Sequence, residues 1–320
     1  MVDISVVVPL YNEEESIAEL HEWIKRVMDE HGFSYEVIFV NDGSTDHSWD
    51  VIESLSQQFP EVHGIKFRRN YGKSPALFHG FEKAEGDVVI TMDADLQDSP
   101  DEIPELYKMV KEDGYDLVSG FKMNRRKGDP LSKTIPTKLF NATTRMVSGI
   151  HNLQDFNSGL KAYRKDVVKH IEVYGEMHRF IPYLAKNAGF SKIGEKPVHH
   201  QARQHGKSKF MGCNRFVNGY LDLISLWFIS TFGMKPMHIF GFIGTLMFII
   251  GFIAIVIVGT VKVVALCQHV PHALVTDNPY FYLSLTMMIL GTQLFVGGFL
   301  GDLISRNSQE RNKYQVEKEI

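Results

Sequence analysis

The fold of the first half of the chain is decided by the stretch Val88-Val89-Ile90-Thr91-Met92-Asp93-Ala94-Asp95-Leu96-Gln97-Asp98-Ser99-Pro100. A run of apolar and β-branched residues leads into two carboxylates spaced one residue apart, and a turn signal follows. This pattern predicts a buried strand that carries Asp93 and Asp95 at its carboxyl end. Ligands bind at the carboxyl ends of strands in open α/β sheets, and Mg²⁺ typically bridges carboxylates to substrate phosphates. The alternative is a pair of surface carboxylates that cap the next helix.

Working outward, strand-like and helix-like segments alternate over the first 120 residues. This alternation predicts a mostly parallel sheet with helices on both faces. Neither a GxGxxG nor a GxxxxGK[ST] loop occurs, so the sequence supports neither a classical dinucleotide site nor a P-loop. The predicted strands are Ile4–Leu10, Tyr35–Val40, Val62–Phe67, Val88–Met92 and Leu117–Gly120, and the predicted helices span 16–30, 48–58, 74–84 and 101–113.

Length and composition limit the class of protein. The 320 residues suggest about two domains, and 44% of them are hydrophobic, which is enough for a large core. The net charge of −4 argues against a nucleic-acid binder. The two cysteines, Cys213 and Cys267, imply no disulfide framework, and the chain enters a predicted strand at Ile4 without a signal-peptide pattern.

Two long segments near the C-terminus lack charge. No Asp, Glu, Lys or Arg occurs between Lys235 and Lys262, or between Asp277 and Asp302. Each segment exceeds the roughly 20 apolar residues that a membrane-spanning helix needs, so we expect a transmembrane hairpin. The alternative, two buried helices of a soluble core, is disfavoured because soluble helices normally keep a polar face. The basic residues of the tail place both chain ends in the cytoplasm; they are Arg306, Arg311, Lys313 and Lys318.

The region before the hairpin is expected to lie at the membrane surface. Residues 216–232 are mostly apolar, with Asp222 as their single charge, and indicate amphipathic helices in the interface, with a third membrane span as the alternative. Basic stretches run from Lys122 to Arg145 and from Lys192 to Arg215. Such stretches suit anionic lipid headgroups or substrate phosphates, although charge runs are also common on solvated faces.

Four motifs at the ends of predicted strands resemble family 2 glycosyltransferases. They are Val7–Glu14, Val40–Asp46, Arg69–Lys73 and Asp93–Gln97. The resemblance is strongest to polyprenyl-phosphate sugar synthases, such as dolichol-phosphate mannose synthases and bacterial bactoprenol glucosyltransferases. It covers about residues 3–210, and the bacterial branch also carries the C-terminal hairpin. It implies an α/β catalytic domain of GT-A fold, with a Rossmann-like, mostly parallel sheet.

The resemblance also implies a nucleotide-sugar donor and a divalent metal, Mg²⁺ or Mn²⁺. The metal would neutralise charge that develops on the leaving diphosphate. The implied catalytic and metal residues are Asp93, Asp95 and Gln97, and the implied base and ribose residues are Pro9, Tyr11, Glu13 and Asp42, together with Asp93. The histidines at His199, His200 and His205 do not have a convincing metal-site spacing.

On the acceptor side, the resemblance points to Lys122, Lys133, Thr137 and Arg203 as phosphate-binding residues. Family members often have Gly-Ser-Arg where this chain has Gly120-Phe121-Lys122, and lysine keeps the charge without the bidentate fork of arginine. A lipid phosphate is already anionic at pH 7, so it needs positioning and charge screening rather than a base. Chain-building relatives carry Gln-x-x-Arg-Trp, which the string Gln201-Ala202-Arg203-Gln204 lacks.

The sequence thus predicts an inverting, metal-dependent enzyme that transfers a sugar from a nucleotide, UDP-glucose first and GDP-mannose second, to a polyprenyl phosphate. The product would serve cell-envelope glycan modification. The alternatives are a saccharide hydroxyl acceptor and a non-catalytic membrane protein that binds lipid phosphates. The expected location is the inner membrane, with the catalytic domain on its cytoplasmic side. The sequence is compatible with a homo-oligomer and does not determine the oligomeric state. The expected parts are a catalytic domain (1–211), juxtamembrane helices (212–234), two transmembrane helices (235–305) and a cytoplasmic tail (306–320).

Overall fold

The computed structural model describes residues 2–122, 141–201, 237–269, 271 and 273–307. The chain divides into two compact units, Met1–Ile224 and Ser225–Ile320. The domain boundaries expected at residues 211 and 234 lie outside the described residues, so the four-part division stays a proposal.

The first unit is built on a seven-stranded sheet with the order β3-β2-β1-β4-β6-β5-β7. All neighbouring strands run parallel except β6, which is antiparallel to both β4 and β5. The strands are β1 (Ile4–Leu10), β2 (Tyr35–Asn41), β3 (Val62–Lys66), β4 (Val88–Thr91), β5 (Leu117–Lys122), β6 (Lys161–Arg164) and β7 (Ile193–Val198). The helices are α1 (Ile17–His31), α2 (Ser48–Gln58), α3 (Lys73–Lys83), α4 (Ile103–Lys111), α5 (141–148), α6 (Lys165–His170) and α7 (Ile181–Asn187).

The central strands are hydrophobic because helices cover both faces of the sheet. β1 and β4 are buried along almost their whole length. Alternate side chains of the two strands, such as Val6, Val8 and Ile90, belong to the main hydrophobic core. β1 lies between β2 and β4 and runs parallel to both. The carboxyl ends of these three strands therefore meet at one edge of the sheet, and the loops that follow them form a common surface.

The predicted mostly parallel sheet is confirmed, and the bounds of its first five strands differ from the prediction by two residues or fewer. Neither β6 nor β7 is among the strands predicted from the sequence. β6 has four residues, two of them basic, and β7 contains Pro197 and two charged side chains, so neither presents a clear apolar run.

The second unit contains two long helices, α8 (Phe242–Cys267) and α9 (Pro279–Asn307). Both are long and apolar enough to cross a membrane, with candidate spans Met237–Cys267 and Pro279–Ile304. α8 continues past Lys262, where the uncharged segment ends, and the Lys262 ammonium donates to the Ala273 carbonyl at 2.9 Å. Long basic side chains near a helix end extend towards polar surroundings in this way.

Candidate active site

The carboxylate motif forms a tight loop directly after β4. The Gln97 backbone N–H donates to Asp95 Oδ1 at 3.2 Å, which closes a turn on the second carboxylate. Leu96 adopts a left-handed backbone conformation with φ 59°, and its side chain is fully buried in the main core. This buried side chain fixes the loop to the sheet, while Asp93, Asp95 and Gln97 remain partly exposed.

Asp93 lies in a crowded, charged environment. Its Oδ1 accepts a hydrogen bond from the Lys73 ammonium, the first residue of α3, in an ion pair whose side chains are 28% and 36% exposed. On the other side, a Cβ at Gly159 would lie 2.5 Å from Asp93 Oδ2. Gly159 is held there because its carbonyl accepts from the Thr91 hydroxyl at 2.9 Å. Only glycine therefore leaves room for the Asp93 carboxylate in this conformation.

Asp42 follows β2 and binds the loop that precedes α3. Its two carboxylate oxygens accept from the backbone N–H groups of Tyr71 at 2.7 Å and Gly72 at 2.9 Å. Burial raises the pKa of Asp42, and these two hydrogen bonds oppose the shift. Gly43 has φ 70°, and a Cβ there would overlap the Arg69 backbone, so this turn requires glycine. The position predicted to contact a ribose or base thus also has a structural role.

The loops after β1 and β2 are bound to each other. Asn12, in the left-handed region at φ 53°, donates its N–H to Ser44 Oγ at 2.9 Å and accepts from the Thr45 N–H at 2.8 Å. The Glu13 N–H donates to Ser48 Oγ at 3.0 Å. Pro9, near the end of β1, and Tyr11 and Glu13 after it are partly buried on this surface. The structure thus places the predicted donor-side residues on adjacent loops at one sheet edge.

Two titratable residues that interact with Asp93, Lys161 and His178, and the neighbouring Arg179 were not identified from the sequence. Lys161 opens β6; burial, reinforced by the Lys73 ammonium, lowers its pKa to about 8. The His178 backbone N–H donates to the Ser74 hydroxyl oxygen at 3.0 Å, and the same hydroxyl lies 3.1 Å from His178 Nδ1. Burial lowers the pKa of His178 well below its usual value, and the charges of Lys73, Arg179 and Lys161 add to this shift. Arg179 is buried and pairs with Glu176 at 3.3 Å.

The signal for these residues was weak in the sequence because they follow no strand that pattern analysis predicted. β6 is antiparallel to β4, so its first residues lie beside the last residues of β4. This orientation brings Gly159 and Lys161 to the carboxylate motif.

The predicted acceptor residues are only partly described. The Lys122 backbone ends β5, whereas Lys133, Thr137 and Arg203 lie outside the described residues. The chain that leads towards Arg203 does reach the carboxylate motif: the Gln201 N–H donates to the Gln97 carbonyl at 2.9 Å. One residue earlier, His200 Nδ1 lies 3.2 Å from the buried carboxylate of Asp98.

The donor atoms of the carboxylate motif suit a hard divalent cation. Asp93, Asp95 and Gln97 offer oxygen atoms, and a cationic ammonium already contacts Asp93. Among the residues that the structure describes, no group of three or more His, Cys, Asp and Glu side chains could hold a metal by itself. The motif therefore fits an ion that takes further ligands from a bound substrate, in the manner typical of Mg²⁺.

Comparison with solved structures identifies the fold of the first unit. The glucosyl-3-phosphoglycerate synthase of Mycobacterium tuberculosis, solved with Mn²⁺ and UDP-glucose, aligns with a TM-score of 0.54 at 19% identity. The match covers 72% of this chain and 79% of that one. At this level of identity the likeness concerns the fold alone, and it confirms the expected GT-A architecture.

Comparison of sequences identifies the family. The chain is 31% identical over 306 residues to the dodecaprenyl-phosphate galacturonate synthase of Rhizobium johnstonii, covering 95% of this chain and 88% of that protein. It is 33% identical over 323 residues to the undecaprenyl-phosphate 4-deoxy-4-formamido-L-arabinose transferase of Shewanella sediminis, covering 98% and 91%. Residues 5–172 match the sequence profile of glycosyl transferase family 2. The chain, with its carboxylate motif at the end of β4, therefore belongs to the family 2 glycosyltransferases.

Proposed function

We propose that this enzyme transfers a sugar from a nucleotide sugar to a polyprenyl phosphate at the cytoplasmic face of the inner membrane. The observation that carries the proposal is the carboxylate motif on a GT-A sheet, in a chain whose second unit has two helices apolar enough to span a membrane. The two relatives named above act, by their names, on dodecaprenyl and undecaprenyl phosphate. Their alignments include the C-terminal helices, which supports a lipid acceptor over a saccharide hydroxyl.

The donor side of the proposal rests on the surface formed by the β1, β2 and β4 loops. Pro9, Tyr11, Glu13 and Asp42 would bind the nucleoside, and Asp93, Asp95 and Gln97 would hold Mg²⁺ or Mn²⁺ against the donor diphosphate. When bound, the metal supplies positive charge that stabilises the leaving diphosphate. UDP-glucose stays the first candidate donor and GDP-mannose the second, while the relatives' names add galacturonate and 4-deoxy-4-formamido-L-arabinose to the sugars worth testing.

The acceptor side would place Lys122, Lys133, Thr137 and Arg203 around the lipid phosphate. Support comes from the chain path, since β5 ends with Lys122 and Gln201, two residues before Arg203, is hydrogen-bonded to Gln97. These groups would hold an already anionic nucleophile and screen its charge, and no base would be required. Attack on the face opposite the diphosphate would invert the anomeric carbon.

The test is to incubate membranes containing the full chain with labelled nucleotide sugars and polyprenyl phosphate, and to identify the lipid product by mass spectrometry. We expect a β-linked lipid product from an α-linked donor, and loss of product in EDTA. Asp95→Asn should reduce turnover by at least roughly a hundredfold, because the metal loses a charged ligand. Asp113→Asn, at an exposed carboxylate beyond α4, is the control.

A lipid product with retained α configuration would exclude direct displacement. Full activity in EDTA, or an Asp95→Asn enzyme as active as the control, would refute the metal-dependent mechanism. No lipid product with any donor would refute the proposed acceptor.

A further inference from the structure

Lys73 contacts the carboxylate motif, and the proposed reaction gives it no role. It is the first residue of α3, and its ammonium donates to Asp93, the first carboxylate of the motif. The pair is partly buried, with side-chain exposures of 28% for Lys73 and 36% for Asp93. An ammonium and a divalent cation at one carboxylate repel each other, so the ion pair and the metal site compete for Asp93.

The backbone before Lys73 is held in place. Asp42 accepts the N–H groups of Tyr71 and Gly72, the two residues that precede Lys73. Gly72 has φ 100° and precedes the helix as its N-cap. The start of α3 is therefore anchored to the donor-side loop after β2, and the lysine side chain projects from a fixed point on that surface. Its flexible four-carbon stem allows the ammonium to change partner without movement of the helix.

The surroundings of Lys73 are rich in positive charge. Its ammonium contributes to the lowered pKa of the fully buried Lys161 and of His178, and Arg179 acts on His178 in the same direction. Asp93 compensates part of this charge. If a metal took over Asp93, Lys73 would be left among cations and would need a new anionic partner. The diphosphate of the donor is the anion that the proposed function brings to this site.

We propose that Lys73 is a positioning residue that occupies Asp93 in the empty enzyme and transfers to the donor diphosphate when the metal binds. The inference rests on the proposed function, since it assumes a metal at Asp93 and Asp95. Its consequence is cooperative binding: the nucleoside diphosphate draws Lys73 away and thereby tightens metal binding. By linkage, the metal tightens nucleotide binding by the same factor.

The decisive measurement is a titration of the detergent-solubilised full chain with Mn²⁺ in the absence of nucleotide. Free Mn²⁺ is quantified by its electron paramagnetic resonance signal. Lys73→Met removes the competing charge and should bind Mn²⁺ about tenfold more tightly than the wild type, the effect of losing a charge-assisted contact. Lys83→Met removes an exposed lysine at the other end of α3 and should change the Mn²⁺ affinity by less than twofold. Lys73→Arg keeps the charge and should resemble the wild type, and Lys73→Gln is a second neutral variant.

A second arm repeats the titration with UDP and, separately, with GDP. In the wild type, the nucleotide that the enzyme binds, UDP or GDP, should increase the Mn²⁺ affinity. In Lys73→Met, the increase in Mn²⁺ affinity caused by that nucleotide should be several-fold smaller. Adding Asp95→Asn to Lys73→Met should abolish the gained affinity, which places the ion at the carboxylate motif.

Unchanged Mn²⁺ affinity in both Lys73→Met and Lys73→Gln would overturn the inference, as would a gain that survives Asp95→Asn. These results are independent of the lipid product. A wild type that forms the product while Lys73→Met shows no gain refutes the role of Lys73 alone. A wild type without lipid product refutes the proposed function, whatever its Mn²⁺ affinity.

Discussion

At the scale of single residues, Leu96 shows how the core holds the carboxylates. Its left-handed conformation at φ 59° costs about 1–2 kcal/mol for a residue with a side chain. Full burial of the leucine side chain contributes about 1.5–3 kcal/mol, which offsets that cost. The sequence marks Leu96 as one apolar residue within a polar turn. Its structural role, to anchor the loop between Asp95 and Gln97, follows from the core beneath it.

Lys161 gives a pH prediction at the same scale. Its pKa is lowered from 10.5 to about 8 in the folded, metal-free protein, chiefly by burial. Between these two pH values the unfolded chain binds more protons than the folded protein at this lysine. The free energy of unfolding therefore rises as the pH increases from about 8 to 10.5, and Lys161 contributes at most about 3 kcal/mol to this rise. In EDTA, the melting temperature of the wild type relative to Lys161→Met should therefore increase between pH 7.5 and pH 9.5.

The control for this measurement is Lys192→Met. Lys192 is exposed, and its ammonium also donates to a backbone carbonyl, that of Asp113. The melting temperature of the wild type relative to Lys192→Met should stay constant over the same pH range. A constant difference for Lys161→Met as well would show that burial does not lower the pKa of Lys161.

At the scale of secondary-structure elements, the antiparallel strand β6 completes the candidate site. Its first residue, Lys161, pairs in register with Thr91, the last residue of β4. A parallel β6 would place its first residues at the opposite edge of the sheet, away from Asp93. The direction of one short strand therefore decides whether Gly159 and Lys161 meet the carboxylate motif.

The two long helices of the second unit approach each other closely at glycines. A Cβ at Gly291 would lie 2.6 Å from the Gly244 carbonyl oxygen, and one at Gly251 would lie 2.7 Å from that of Ser284. Small residues allow such close backbone contact between membrane helices. The Thr245, Thr286 and Thr292 hydroxyls donate to carbonyls one turn earlier in their own helices, which satisfies them without water.

This packing predicts that Gly291→Val destabilises the hairpin. The added side chain meets Gly244 and Phe248, and overpacking of this kind costs roughly 1–3 kcal/mol. Gly297→Val is the matched control, since a Cβ at Gly297 meets nothing within 4 Å in the described structure. Thermal melting of the solubilised protein should show a lower midpoint for Gly291→Val than for Gly297→Val. Equal midpoints would mean that the helices do not pack through Gly291.

At the scale of the whole molecule, the chain joins a GT-A unit to a unit with two membrane-type helices. Together these units are expected to bring a soluble nucleotide sugar and a lipid acceptor to one enzyme. The relatives align over nearly the whole chain, so both units belong to the common architecture of these proteins. The orientation in the membrane remains a proposal that rests on the charge of the tail.

The topology prediction is tested with reporters on the full chain. The tail carries four Lys and Arg residues after Ser305, whereas the connector between the helices carries none after Lys262. A reporter fused after Ile320 should therefore be cytoplasmic, and one inserted at residue 272 should lie on the far side. Accessibility to a membrane-impermeant thiol reagent at Cys267 provides an independent measurement. Both reporters on the same side would exclude the hairpin.

Local sequence patterns were sufficient to predict the first five strands, four helices, the carboxylate motif and the two apolar segments. Each of these depends on local periodicity or on residue type along a short stretch. The spacing of apolar residues indicates which face of an element is buried. A run of about twenty uncharged residues indicates a helix long and apolar enough to span a membrane.

The surroundings of Asp93, in contrast, depend on contacts between distant parts of the chain. Lys73, Gly159 and His178 reach the site through contacts between residues 20, 68 and 104 positions apart in the chain. The spacing of apolar residues along one strand does not indicate which strand lies beside it or in which direction that neighbouring strand runs. The carboxylates were therefore visible in the sequence. Gly159 and Lys161 reach them only because β6 pairs antiparallel with β4, and Lys73 and His178 reach them through the start of α3.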